Sequence, residues 1–284
     1  MGNQSRWKSG GGRDSLFSMS PPRPKSIGSC RIDQTIGKGG MAEVFSGLQE
    51  PLQRPVAVKS LLPERKEDEE ARERFRREAL ALAALQHENI VAVHDLVEKY
   101  GRLYLILEYV DGVDLASVLQ GGPLPLDVAL LVGAELAAAL EHAHFRRVLH
   151  RDIKPSNVML SRSGQVKLTD FGIAKDQTLD DLTREGFVVG TLNYLSPEQL
   201  GGGRADWRSD IYSLGVTLYE ALAGRRPHDE PGDVEPGRVA SRILTGQRRR
   251  LREVAPAVPR SVDKVIQRCL QLEPADRYQR AAEL

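Results

Sequence analysis

The sequence predicts an α+β protein in which a small β-rich lobe precedes a larger helical lobe. Short β-branched runs separated by turn residues dominate the first third of the chain, with one amphipathic helix among them. Beyond Asp111, apolar residues recur every three or four positions, which is the helical period. We therefore place the small lobe at about 29–110 and the large lobe at about 111–284.

The small lobe begins with a strand, a glycine turn and a second strand. CRIDQTIG and AEVFSGL flank the turn GKGGM, and VAVKSLL is a further β-branched strand that carries one lysine. The helix DEEARERFRREALALAALQ follows, because apolar residues recur at helical spacing among its charges. IVAVHDLVEK and RLYLILEYV then predict two strands around a turn at Tyr100–Gly101.

The large lobe is predicted to contain helices within 126–145, 209–223 and 261–272. Its most apolar run, VALLVGAELAAAL, is interrupted by Glu135 and is shorter than the roughly 18 residues that a membrane span requires. We expect no membrane span in this chain. Cys30 and Cys269 are too few and too distant to indicate a disulfide framework, so we expect a reducing, cytoplasmic location.

The first 28 residues form a basic tail. Residues 1–31 contain six Lys or Arg against one Asp, a net charge of +5 in a chain whose total is +1. Because residues 1–28 are rich in Gly, Ser and Pro and poor in apolar side chains, we expect them to be disordered. The tail is either a solvated leader or a basic tether to acidic lipid or a partner.

Two features of the small lobe have both a structural and a functional interpretation. The glycines at 37, 39 and 40 allow backbone N–H groups to approach a phosphate, although a tight hairpin also needs glycine. Lys59 is either exposed by strand alternation or directed into a cleft toward phosphates. In the second case it needs a carboxylate partner, and Glu78 on the amphipathic helix is the candidate, unless it is an ordinary surface residue.

The order of the remaining motifs resembles one family. HRDIKPSN at 150–157 is followed by LTDFG, GTLNYLSPE, SDIYSLG and a late arginine, Arg277. Over about residues 30–284 the chain resembles a eukaryotic-type (Hanks-type) Ser/Thr protein kinase catalytic domain. GKGGMAEV, with Ala42 where the third glycine usually stands, is similar to the bacterial branch. The resemblance implies a bilobal protein kinase fold and ATP-dependent phosphoryl transfer to Ser/Thr hydroxyls of proteins.

The resemblance assigns roles to the catalytic residues. It implies that Asp152 is the base for the substrate hydroxyl and that Lys154 offsets charge on the transferring phosphoryl group. Asn157 and Asp170 would bind Mg²⁺, with Mn²⁺ as an alternative. Lys59, held by Glu78, would contact the α- and β-phosphates. The positions that the resemblance implies for ATP binding are Ile36, Gly37, Lys38, Gly39, Gly40, Val44, Ala57, Lys59, Leu107, Glu108, Val110, Asp114 and Met159.

Within this ATP-binding set, the adenine would lie between Val44 and Ala57 above and Met159 below. It would form hydrogen bonds with the backbone near Glu108 and Val110, in the segment that connects the two lobes. Leu107 would be the gatekeeper, the residue just before that segment. Asp114 would meet the ribose; the alternative is a helix N-cap.

The resemblance also implies how the kinase activity is regulated and which residues support the HRDIKPSN loop. Arg151 beside the catalytic aspartate is typical of kinases that need phosphate on the activation segment. The acceptors there would be Thr178 and Thr183, and we expect autophosphorylation, whereas Thr191 would contact Asp152 and Lys154. Three further expectations concern packing: Glu198 pairs with Arg277, Asp210 braces the HRDIKPSN loop, and a set of four residues forms an apolar stack between the lobes, namely Leu82, Val93, His150 and Phe171.

Other classes of protein fit less well. A pseudokinase scaffold is the main alternative, but it would lack the equivalents of Lys59, Asp152 or Asp170. A small-molecule kinase would lack GTLNYLSPEQL, the platform for a peptide. We expect no nucleic-acid binding, since acids match the basic residues of the body and the RRRLR run at 248–252 fits a solvated surface or docking patch.

The expected partners are protein substrates with Ser/Thr acceptors and, as in relatives, a back-to-back homodimer. Because the chain stops seven residues after Arg277, before the last helix of such kinases, we expect it to be the catalytic part of a longer protein, which could be the cytoplasmic part of a membrane-anchored kinase.

Overall fold

The computed structural model describes residues 24–38, 42–61, 68–171, 192–230 and 235–284. Within these ranges the small lobe contains a six-stranded antiparallel sheet with the order β1-β2-β3-β4-β6-β5. The strands are β1 (Ser26–Ile27), β2 (Cys30–Lys38), β3 (Ala42–Gln49), β4 (Arg54–Leu61), β5 (Val93–Lys99) and β6 (Arg102–Glu108). The predicted glycine turn therefore joins two paired strands, although residues 39–41 lie outside the described ranges.

The amphipathic helix α1 (Glu69–Ala83) packs against this sheet. Its first turn is capped by Asp68, whose carboxylate accepts a hydrogen bond from the backbone N of Ala71 at 2.9 Å. Phe75 and Leu82 on its apolar face are buried in the same cluster as Leu105 of β6. The helical spacing of these residues thus fixes which face of α1 meets the sheet.

The large lobe is mainly helical, as predicted. The helices in its described residues are α2 (Leu115–Leu119), α3 (Leu126–Phe145), α4 (Pro197–Leu200), α5 (Trp207–Ala223), α6 (Pro236–Thr245), α7 (Leu251–Val254) and α8 (Arg260–Cys269). Helix α5 is buried along almost its whole length, and α3 and α8 pack against it. A three-stranded antiparallel sheet, β7 (Gly112–Asp114), β8 (Val158–Ser161) and β9 (Val166–Leu168), carries the residues that face the small lobe.

The segment before β5 contacts the large lobe. The backbone N of Val91 donates to Leu168 O at 3.0 Å, and Leu168 N donates to Asn89 O at 2.8 Å. Asn89 Nδ2 also donates to the carbonyl of Val166 at 3.0 Å. The strand predicted to start at Ile90 is corrected here: residues 89–91 bond to Leu168 of β9 in the large lobe, so β5 starts at Val93.

The β-sheet of the small lobe begins before residue 29. Ser26 and Ile27 pair with Arg31 and Cys30, and the side chain of Ile27 is fully buried. The apolar contact of this one residue extends the small lobe into the predicted tail. Residues 1–23, the rest of that tail, lie outside the described residues. Among the described helices, none combines the length and apolar character that crossing a membrane requires.

Candidate active site

The HRDIKPSN segment is held by Asp210, which lies in the first turn of α5. Asp210 Oδ2 accepts a hydrogen bond from His150 N at 2.9 Å, and Oδ1 accepts one from Arg151 N at 2.7 Å. His144, near the end of α3, brings Nε2 to 2.8 Å from Oδ2. Burial opposes ionisation, but the His144 contact and the loop N–H groups hold the pKa of Asp210 below its ordinary value. The carboxylate predicted to brace this loop therefore does so as an anion.

This brace stabilises an unusual backbone. Arg151 has φ of +65°, a region that residues other than glycine rarely adopt. The backbone N of Arg151 is bonded to Asp210, so the buried carboxylate offsets the local strain. The turn directs the following residue, Asp152, out of the lobe and toward the cleft.

Asp152, Lys154 and Asn157 form one cluster. Asp152 Oδ2 lies 3.1 Å from Lys154 Nζ and accepts a hydrogen bond from Asn157 Nδ2 at 3.0 Å. Asn157 Nδ2 also donates to the Asp152 carbonyl at 2.7 Å, and Pro155–Asn157 form a 3₁₀ turn. The turn brings the amide back onto the aspartate, so the three polar side chains predicted on one short loop converge.

His150 couples this loop to the LTDFG segment. Its Nδ1 accepts from Asp152 N at 3.2 Å, so Nε2 carries the proton and donates to the Thr169 carbonyl at 3.0 Å. Its ring centroid lies 4.4 Å from that of Phe171. Burial lowers the pKa of His150, which keeps the ring neutral. Leu82, His150 and Phe171 of the predicted stack are buried and Val93 is partly buried.

Lys59 extends from β4 into the cleft and contacts two carboxylates. Its Nζ lies 2.8 Å from Glu78 Oε1 of α1 and 3.1 Å from Asp170 Oδ1. Burial opposes the cation, yet Asp170 and Glu78 hold the pKa of Lys59 above its ordinary value. The same contact with Lys59 lowers the pKa of Asp170. The surface-residue alternatives for Lys59 and Glu78 do not hold, because both side chains are largely buried.

Asp170 differs from its partners in being accessible. Its side chain is 44% exposed, and its φ of +56° turns the chain at this point. Local backbone strain of this kind is concentrated at functional sites. One carboxylate thus touches Lys59 and still faces the open side of the cleft.

The residues predicted to surround the adenine lie on neighbouring strands. Across the sheet Val44 is opposite Lys59, and Ala57 is opposite Leu107. A small cavity behind Leu107 is lined by the following residues: Lys59, Glu78, Leu82, Val91, Leu105, Leu107, Leu168, Thr169 and Asp170.

The other predicted positions lie at the ends of strands or in β8. Ile36, Gly37 and Lys38 end β2, with Gly37 opposite Val44. Glu108 ends β6, Val110 follows it, and Met159 lies in β8. Gly39 and Gly40 of the predicted phosphate loop lie outside the described residues, as do Thr178, Thr183 and Thr191 of the predicted regulatory segment.

Asp114 is the N-cap of α2. Its Oδ1 accepts a hydrogen bond from Ser117 N at 2.8 Å, and its Oδ2 accepts one from Ser117 Oγ at 2.7 Å. The capping alternative is therefore confirmed, while contact with a ribose stays a prediction.

The donor set in the cleft fits Mg²⁺ better than a metal held by protein alone. The described residues contain no group of three His, Cys, Asp or Glu side chains that could hold a metal ion. Mg²⁺ typically uses one or two protein oxygens and completes its shell with phosphate and water. Asp170 offers a carboxylate, and Asn157 offers Oδ1 because its Nδ2 is bonded to Asp152. Both are hard oxygen ligands.

Arg277 and Glu198 form a largely buried ion pair in the large lobe, as predicted. Arg277 Nη1 and Nη2 lie 2.8 Å from the two carboxylate oxygens of Glu198, and the arginine is 0% exposed. This bidentate pair ties the GTLNYLSPEQL segment, to which Glu198 belongs, to the end of the described chain.

Two residues that contact the site were not predicted from the sequence. His144 was not singled out, because a histidine near the end of an apolar helix gives no signal of its role. Lys167, in VKLTDFG, is a lysine within an apolar strand, the same signal that identified Lys59, and it pairs with Glu108. The RRRLR run is bonded to its own lobe: Arg249 pairs with Glu230, and Arg252 Nε donates to Val258 O at 3.0 Å.

Comparison with known proteins agrees with this geometry. Residues 30–284 match the family model described as "Protein kinase domain". The chain is 38% identical over 258 residues to the serine/threonine-protein kinase PrkC of Bacillus subtilis, covering 90% of this chain and 39% of PrkC. It is 36% identical over 259 residues to the serine/threonine-protein kinase PknH of Mycobacterium tuberculosis, covering 91% of this chain and 41% of PknH.

A solved structure shares the same architecture. The crystal structure of the Mycobacterium tuberculosis PknI kinase domain superposes with a TM-score of 0.71 at 31% identity, covering 91% of this chain and 93% of that one. The chain spans about two fifths of the length of the curated relatives named above.

Proposed function

The chain belongs to the protein kinase family, and we propose that it transfers the γ-phosphoryl group of ATP to Ser and Thr hydroxyls of proteins. The observation that carries the proposal is the convergence of Lys59, Asp170 and the Asp152 loop on one cleft. Its curated relatives bear the name serine/threonine-protein kinase, which supports the same acceptor class.

Phosphoryl transfer needs positioning and charge neutralisation more than covalent catalysis. The Lys59 ammonium, fixed by Glu78, is placed to bind phosphate oxygens, and Val44, Ala57 and Met159 would enclose the adenine. Asp170 and Asn157 would hold the metal ion, Mg²⁺ or Mn²⁺. The metal ion, when bound, neutralises charge on the phosphates.

Asp152 and Lys154 act on the acceptor side. Asp152 orients the substrate hydroxyl and accepts its proton as the hydroxyl oxygen forms a bond to the γ-phosphorus. The bond from that phosphorus to the β-phosphate bridging oxygen breaks, and ADP leaves with those electrons. Lys154, 3.1 Å from Asp152, offsets charge on the transferring group. Asp210 and His150 keep the loop in this conformation.

The proposal is tested by incubating the protein with ATP, Mg²⁺ and a generic protein substrate, with Lys59→Met as the control. We expect phosphate on Ser and Thr residues of the substrate, measured by mass spectrometry with peptide mapping, and at least about a hundredfold slower transfer with the control. ATP binding without any transfer would favour a scaffold instead, and phosphate on tyrosine alone would contradict the acceptor class.

We further propose that autophosphorylation of the activation segment regulates the activity. The support is Arg151, whose backbone is fixed beside Asp152 and whose charge a phosphate would neutralise. Thr178 and Thr183 are the expected acceptors. A phosphopeptide map of the active protein that shows neither threonine modified would contradict this.

Location and assembly follow from weaker observations. Cys30 and Cys269 are both buried and form no disulfide, which supports a reducing, cytoplasmic location. A homodimer through the back of the small lobe stays a prediction. Sedimentation over a range of concentrations would detect it as an increase in mass.

A further inference from the structure

An ion pair between a buried lysine and a partly buried glutamate connects the end of β6 to β9 of the large lobe. Lys167 of β9 is 8% exposed, and its Nζ lies 2.7 Å from Glu108 Oε1 at the end of β6. Glu108 Oε2 accepts a hydrogen bond from Ala92 N at 3.1 Å, and Glu108 N donates to Ala92 O at 2.9 Å. One glutamate therefore joins β6, the segment before β5 and β9.

This pair lies beside the proposed adenine slot, the space between Val44 and Ala57 on one side and Met159 on the other. Lys167 is directly opposite Met159 in the β8–β9 ladder, and opposite residues of an antiparallel pair project from the same face. Met159 is the proposed floor of the slot, and the backbone at Glu108 is its proposed outer wall. The ion pair therefore links β9, the strand beside Met159, to the end of β6 at Glu108.

A buried lysine is held firmly because its charge needs a partner away from water. Among the described residues, the carboxylate that meets Lys167 is that of Glu108. The length of the lysine side chain thus sets how closely β6 approaches the β8–β9 sheet. Small errors in such a spacing weaken ligand binding strongly.

We propose that Lys167 is a positioning residue that acts through Glu108 to set the width of the adenine slot and thereby the affinity for adenine nucleotides. The inference depends on the proposed function in so far as the slot binds adenine. Lys167 touches neither the phosphates nor the acceptor, so its loss should affect nucleotide binding and leave the transfer step unchanged.

The first variant is Lys167→Met, which keeps the apolar stem and removes the charge. The KM for ATP and the Kd of Mg²⁺–ADP, measured by titration calorimetry, should rise about fivefold to tenfold, since breaking a buried charge pair loosens what it holds. The kcat at saturating ATP should stay within about twofold of wild type. Lys167→Arg, which keeps the charge, should restore part of the affinity.

A double-mutant cycle with Glu108→Gln tests whether the two residues act together. If they do, the double variant should bind Mg²⁺–ADP no more weakly than Lys167→Met alone. Losses that add in the double variant would mean that Lys167 acts by a route other than Glu108.

Arg208→Met is the matched control. Arg208 pairs with Asp206 at 2.6 Å in the large lobe, and both side chains are partly buried. This variant should lower the Tm without changing the Kd of Mg²⁺–ADP. A Lys167→Met protein that loses Tm but binds Mg²⁺–ADP as wild type does would overturn the inference.

The same experiment separates this inference from the proposed function. A wild-type protein that binds Mg²⁺–ADP but transfers no phosphate would refute the proposed function, while a weaker Kd in Lys167→Met would still support the inference. A wild-type protein that binds no adenine nucleotide would refute both.

Discussion

Two ion pairs in this molecule have similar chemistry and different surroundings. Arg277 uses all five guanidinium N–H groups, for both oxygens of Glu198 and the carbonyls of Gln271, Leu272 and Arg208. Lys59 has three N–H groups and contacts two carboxylates among the described residues, one of them on the accessible Asp170. A saturated, enclosed pair stabilises the fold, whereas an unsaturated pair at a cleft is available to a ligand.

The largest expected effect is on the enclosed pair. Arg277→Met leaves the Glu198 carboxylate buried without its partner, so we expect the free energy of unfolding to fall by about 3–5 kcal/mol. The measurement is urea denaturation. Arg280→Met, which breaks an exposed pair with Glu141, is the control and should cost about 0–1 kcal/mol. Equal losses in the two variants would remove the distinction between enclosed and exposed pairs.

Breaking the Lys59 pair in the cleft should reduce activity more than stability. Lys59→Met should lower kcat for phosphoryl transfer by about 10²–10³, the usual cost of losing one charge-stabilising donor. Its free energy of unfolding should fall less than that of Arg277→Met, because water reaches Asp170, one of the two carboxylates left behind, although Glu78 stays largely buried. A destabilisation as large as that of Arg277→Met, with transfer retained, would make Lys59 a structural residue.

A third prediction uses another buried network of the large lobe. His228 Nε2 accepts from Tyr212 Oη at 2.9 Å, and its Nδ1 donates to the Gln247 carbonyl at 2.8 Å. Burial lowers the pKa of His228 to about 4. The unfolded chain, with an ordinary pKa near 6.5, therefore binds more protons between these values, and stability is lost as the pH falls through this window.

The free energy of unfolding should thus decrease by about 2 kcal/mol from pH 7 to about pH 5 through His228 alone. Urea denaturation of wild type and His228→Gln at both pH values isolates this contribution, since glutamine does not titrate. The same pH slope in both proteins would show that His228 is not held neutral.

The smallest effect separates the two roles of Asp114. Asp114→Ala should lower the free energy of unfolding by about 1 kcal/mol, because α2 loses its N-cap, whereas Asp114→Asn should cost only a few tenths. If the carboxylate also meets the ribose, the KM for ATP should rise in both variants. An unchanged KM would leave Asp114 as a cap alone.

The sequence predicted the fold and the cleft because both depend on local patterns. Strand alternation and the helical spacing around Phe75 placed the lobes, and the motif order paired Lys59 with Glu78. The contact of Lys59 with Asp170 was not predicted. The predicted start of β5 was wrong because residues 89–91 bond to β9, a partner far away in sequence. Ile27 was assigned to the tail because a single apolar residue has no periodicity.

The contacts of His144 and Lys167 could not be read from the sequence for the same reason. Each is a single side chain whose role depends on a residue of another element, Asp210 and Glu108 respectively. Periodicity identifies which residues are buried, but it does not identify which buried charge meets which.

The most direct test of the account is the transfer rate of Asp152→Asn, which keeps the size of the side chain and removes the base. At saturating ATP and Mg²⁺ we predict a fall in the rate of about 10²–10⁴, the usual contribution of a general base, with the Kd of Mg²⁺–ADP unchanged. Transfer at the wild-type rate would contradict the assignment of the HRDIKPSN loop as the catalytic loop.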